Sequence, residues 1–114
     1  MKAKMYILVR EAVDLGHAIL GVGHAALGGF LTWDGEACEP PHVRVRDWAT
    51  QSFRKVVCRV SDEEFEKAKS YGIEGIDYKV MTESALDGGA VSLVWRPREP
   101  EDWPPFFKSL KLYR

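Results

Sequence analysis

Three imidazoles, His17, His24 and His42, are the groups of this chain best suited to moving a proton near neutrality. His24 is the one titratable ring in the uncharged run ILGVGHAALGG, residues 19–29. From such a position it can take a proton from an attacking water or hydrogen-bond a substrate oxygen; the alternative on an apolar helix is a core histidine with both nitrogens satisfied. His17 stands at the start of the same segment, either as a solvated neighbour of a helix cap or as a cationic ring for a phosphate. His42 follows Pro40-Pro41 and reads as loop surface. Cys38 and Cys58 form neither a CxxC nor a ligand cluster, so no metal is expected, and no GxGxxG or Walker spacing follows a strand, which excludes a nucleotide cradle. Arg44, Arg46, Arg54 and Lys55 interleave with Trp48 and Phe53. That pattern can hold a single-stranded RNA end by charge and stacking; scattered surface charge around a core tryptophan is the alternative.

The elements that must position these groups come from one domain, residues 1–114. With 46% hydrophobic and 29% charged residues and a mean hydropathy of -0.25, the chain has the composition of a soluble globule. Sixteen basic against seventeen acidic residues leave no global basic field, so any nucleic-acid site must be a local patch. No apolar run is read as long enough for a membrane span, and the sparse cysteines point to a reducing cytoplasm. KMYILVR, residues 4–10, reads as a central strand buried on both faces. Residues 17–32 form a helix in which Gly21, Ala25 and Gly28 share a close-packing face and Leu20, Leu27 and Leu31 line an apolar stripe. A polar excursion over 33–52 carries a short helix near Trp48. KVVCRV, 55–60, is a second strand, and SDEEFEKAKSYG opens with a capping box, Ser61 to Glu64, with Gly72 as the stop. IDYKVM and AVSLVW are two more strands separated by TESALDGG, before a short terminal segment over 103–112. Trp95, Trp103 and WPPFF are expected to close the core or a dimer contact. The order β, α, β, α, β, β, α implies a three-layer α-β-α fold on a mixed four-stranded sheet.

YILVR, a glycine-containing turn and ILGVGHAALGGF together resemble the first strand, loop and helix of the type 2 peptidyl-tRNA hydrolases. The likeness continues through Trp48 seven residues before Lys55-Val56-Val57, the acidic capped helix, Gly72-Ile73, Gly88-Gly89 before AVSLVW, and Leu110-Lys111-Leu112-Tyr113. It implies an enzyme that cleaves the ester joining a peptide to the 3′ end of tRNA, without a cofactor, as a homodimer. His24 is the residue that best matches the family's site. His17 falls where the family has a lysine and Gly21 where it has a glutamine. The family's segment before the last strand falls on KVMTES, where the resemblance offers Glu83 in place of an aspartate and Ser84 or Glu83 in place of a threonine. Asp77 and Asp87 are the competing carboxylates. The resemblance therefore leaves two functional classes: a divergent hydrolase, and a catalytically silent binding module for RNA, a small ligand or a protein.

Overall fold

The structure, a computed structural model, describes residues 1–84 and 88–114. Strand β1 (Lys4–Arg10) leads into helix α1 (Leu15–Trp33), a short α2 (Val45–Thr50), β2 (Arg54–Val60), α3 (Asp62–Lys69), β3 (Tyr78–Glu83), β4 (Gly89–Trp95) and a one-turn α4 (Pro105–Lys108). The sheet order is β2-β1-β4-β3, with β1 parallel to β2 and the other pairs antiparallel. β1 is therefore an inner strand. Its period-2 alternation sends Met5, Ile7 and Val9 into a core shared with α1 and Trp48 of α2, and Tyr6 and Leu8 into a second core with Phe65 and Ala68 of α3 and Phe107 of α4. Helices thus cover both faces of a mixed four-stranded sheet. Trp95, Trp103 and Phe107 meet Tyr6 and Tyr78 as edge-to-face and tilted rings within the second core, so these aromatics close the domain itself.

The capping box forms as expected: the Ser61 hydroxyl accepts from Glu64 N at 3.1 Å and Glu64 Oε1 from Ser61 N at 2.9 Å. β3 extends further than the sequence indicated, because Thr82 and Glu83 pair with Ala90 and Gly89. They can do so because Val91 is skipped: Met81 pairs with Ser92 and Thr82 with Ala90, leaving Val91 as the extra residue of a β-bulge. The bulge turns Val91 towards α1, where Gly21 receives it. A Cβ at position 21 would lie 2.7 Å from Val91 Cγ1.

α1 rests on the sheet along Ala18, Gly21, Ala25 and Gly29, all buried. Its outer side carries Leu20, Leu27 and Leu31, 49%, 59% and 67% exposed, so the leucine stripe faces away from the core. With 19 residues and no Asp, Glu, Lys or Arg, α1 is long and apolar enough by composition to cross a membrane, which corrects the expectation that no run reaches that length. The C-terminal tail runs antiparallel along the outer edge of β2, with Arg59 N donating to Lys111 O at 3.0 Å and Tyr113 N to Val57 O at 2.8 Å.

Candidate functional site

α1 crosses β3 in regular step. Lys79 Nζ donates to Thr32 Oγ1 at 3.2 Å, and the Met81 methyl fills the space left by Gly28. Two strand residues advance about 6.6 Å and four helix residues about 6 Å, so each two-residue step on β3 matches one turn of α1. By strand and helix geometry, extending this register one more step brings Glu83 level with His24, on the same strand face as Lys79 and Met81. Ser84 Oγ donates to Glu83 Oε1 at 3.4 Å. His24 is exposed and makes no hydrogen bond or ion pair among the described residues. The step thus sets an imidazole and a carboxylate on facing elements, with no hydrogen bond joining them in this conformation.

His17 lies two turns before His24 on the same helix flank, and its Nδ1 is 2.5 Å from Oδ1 of Asp14, the N-cap residue. That hydrogen bond holds the Asp14 carboxyl below its ordinary value of 3.8. His17 is therefore engaged with the cap of its own helix. Asp77, a competing carboxylate, is turned elsewhere: Oδ2 accepts from Ile73 N at 2.7 Å, and Oδ1 is 2.8 Å from His42 Nε2 and 3.8 Å from Arg98 Nη2. Asp87 lies outside the described residues. The glutamine of the resembled family has no room at position 21, because Val91 fills it.

His42 departs from its reading as loop surface. Its side chain is only 11% exposed, close to Asp77 in distance but without the alignment of a hydrogen bond. Burial draws its pKa below 6.5, the guanidiniums of Arg98 and Arg96 act in the same direction, and Asp77 opposes them. The ring helps tie the 36–42 loop to the end of β4, where Arg96 donates to Ala37 O at 3.2 Å and to Ile76 O at 3.5 Å. Cys38 and Cys58 are free thiols, and burial pushes Cys58 up to about 11, which makes it unreactive near neutrality.

The basic and aromatic residues separate into two kinds. Arg46 is held by Asp34 through a bidentate pair at 2.9 and 3.1 Å, and Arg44 and Arg46 line an open cavity of about 320 Å³ together with Asp34, Glu36 and Asp47. That cavity carries both signs of charge. Trp48 is 1% exposed, its indole donating to Arg54 O at 2.8 Å, so it is a core residue and no stacking platform. Phe53 differs: it is 56% exposed, with φ at 52°, in the left-handed region. Lys55 Nζ sits 3.2 Å from its ring centroid and donates to Phe53 O at 2.7 Å.

Alternation along β2 puts Lys55, Val57 and Arg59 on the side facing α1, and the tail adds Tyr113 beside Val57 and Lys111 beside Arg59. The Arg59 guanidinium lies 5.8 Å from the Tyr113 ring centroid. Ile19 and Val22 border this surface from the flank of α1 opposite His24. Arg59 and Lys111 were not singled out from the sequence. The period-2 step from Lys55 to Arg59 was the available signal, but the pairing of the tail with β2 was not. No protein-family model matches the chain, and no curated protein matches it.

Proposed function

We propose that the chain is a divergent peptidyl-tRNA hydrolase-like protein, with His24 as proton acceptor and Glu83 as the carboxylate that orients its ring. The observation that supports this reading is the register of β3 along α1, seen at Lys79–Thr32 and Met81–Gly28, which extended by one step brings Glu83 level with His24. An imidazole open to solvent suits a substrate as large as tRNA. In the reaction His24 takes a proton from water as the water oxygen attacks the ester carbonyl carbon. The bond from that carbon to the ribose oxygen then breaks, and the proton passes to the departing oxygen. A peptide carboxylate and a free tRNA 3′ end result. Ser84, through its hydrogen bond to Glu83, fixes the carboxylate, and His17, two turns earlier on the same flank, would have to leave Asp14 to meet the terminal phosphates.

The test is release of peptide from a peptidyl-tRNA. Wild type should turn over, and His24→Ala should lose about 10²- to 10⁴-fold, the usual worth of a positioned proton acceptor. Because His24 is exposed, the variant should melt with the wild type. Turnover no faster than the uncatalysed reaction in the wild type removes the reading.

A second reading is favoured by the outer face of α1. Leu20, Leu27 and Leu31 surround His24 without a charge, and His24 has no hydrogen-bond partner among the described residues. On this reading the chain is a catalytically silent module whose α1 face takes a second copy of itself, covering His24.

A further inference from the structure

We infer that the α1-facing side of the β2 edge is a platform for single-stranded nucleic acid, with Phe53 the ring on which a base stacks and Lys55, Arg59 and Lys111 the cations that follow its phosphates. Two independent observations carry this. The first is charge. β2 and the tail over 110–114 contain Arg54, Lys55, Arg59, Lys111 and Arg114 and no Asp or Glu, and none of these five forms an ion pair among the described residues. Elsewhere Arg10, Arg46, Lys69, Arg96 and Arg98 each lie within 4 Å of a carboxylate. Lys2, Lys4, Arg44, Lys67, Lys79 and Lys108 also lack an ion pair among the described residues, but only β2 and the tail set five cations along one edge with no Asp or Glu in either segment, an arrangement that suits a polyanion.

The second observation is Phe53 itself. An aromatic residue in left-handed backbone is uncommon, and such conformations persist where surrounding contacts impose them. Here the Phe53 amide is fixed to Trp48 O at 2.6 Å and its carbonyl to Lys55 Nζ, so the turn holds the ring out with more than half its surface open. The ring touches the buried Trp48, with centroids 5.3 Å apart, and Lys55 Nζ caps it, so the surface it leaves open is what a base can use. Stacking needs an unpaired base, which specifies a single strand over a duplex. Lys55 and Arg59, four strand residues apart, span about 13 Å, a reach of a few nucleotides, with the Tyr113 ring between them.

The platform lies on the flank of α1 opposite His24, so it is testable apart from hydrolysis. Fluorescence anisotropy with a labelled single-stranded oligoribonucleotide, its DNA counterpart and the corresponding duplex makes the comparison. Wild type should bind both single strands similarly and the duplex more weakly, with affinity falling steeply as salt rises. Lys55→Glu combined with Arg59→Glu should lower affinity at least about tenfold and flatten the salt slope by about 0.7 per cation removed. Phe53→Asn, whose side chain tolerates left-handed backbone, should stay folded, lose about fivefold or more, and keep the salt slope. Equal binding of duplex and single strand, or wild-type affinity in either variant, overturns the inference. His24→Ala should bind as wild type; a wild type that binds the oligonucleotides but releases no peptide removes only the hydrolase reading, and one that releases peptide but binds neither single strand removes only the platform.

Discussion

His42 shows how far a residue's role depends on partners remote in sequence. Two prolines before it pointed to an exposed loop, yet Asp77, Arg96 and Arg98 converge on it from the far end of the sheet. Nothing in the spacing of these residues announced the cluster, because it exists only once the 36–42 loop is folded onto β4. Burial first, then the two arginines, hold the ring's pKa below its unfolded value of 6.5 despite Asp77. The unfolded chain therefore binds the proton more readily than the folded one. Stability from this site is complete above about pH 6.5 and is lost as pH falls towards the lower folded value. Urea unfolding midpoints at a series of pH values should decline across that window, and His42→Gln should flatten the decline. An unchanged slope in the variant would assign the acid sensitivity to other groups. His24 was legible in the opposite sense: the sequence marked it as the single polar ring of its helix, and the structure puts it in solvent on the flank beside β3.

Helix α1 was readable in extent and in its small-residue face, but not in which face its leucines take. The two stripes are equally regular, and only the sheet decides between them: β4 and β3 approach so closely that glycine and alanine are needed at the contact, which leaves Leu20, Leu27 and Leu31 outside. The glycines are not equivalent. A Cβ at Gly23 meets nothing within 4 Å, one at Gly28 meets the mobile Met81 methyl at 2.9 Å, and one at Gly21 meets the branched Val91 at 2.7 Å. Gly23→Ala should stabilise by about 0.5–1 kcal/mol through helix propensity alone. Gly28→Ala should be near neutral as Met81 shifts aside, whereas Gly21→Ala should cost about 1–3 kcal/mol through overpacking against a stiff side chain. Denaturant melts of the three variants order them directly. A Gly21→Ala variant as harmless as Gly23→Ala would show that the bulge is not what fixes this packing.

For the whole molecule, the sequence supported a mixed four-stranded sheet with helices on both faces, because the continuous apolar run of KMYILVR and the capped α3 are local signals. The bulge, the tail paired to β2 and the two-residue shift of β3 were hidden, since each depends on pairing between distant segments. The outer face of α1 exposes Leu20, Leu27 and Leu31 with no Asp, Glu, Lys or Arg in the helix. Exposed aliphatics aligned over several turns are uncommon on a lone molecule and fit the isologous contact of a symmetric dimer. On the second reading the wild type should sediment as a dimer and Leu27→Glu as a monomer, with both equally stable because Leu27 is 59% exposed. A wild type that remains monomeric at high concentration leaves this face to other partners. The bulge at Val91 reaches further still, into which substitutions at the two positions can be combined. With Val91 in the hollow over Gly21, a larger side chain at position 21 meets Val91 Cγ1 already at its Cβ, so it needs β4 to give way. The two positions form a latch: Gly21→Gln should be rescued, at least in part, only together with Val91→Gly.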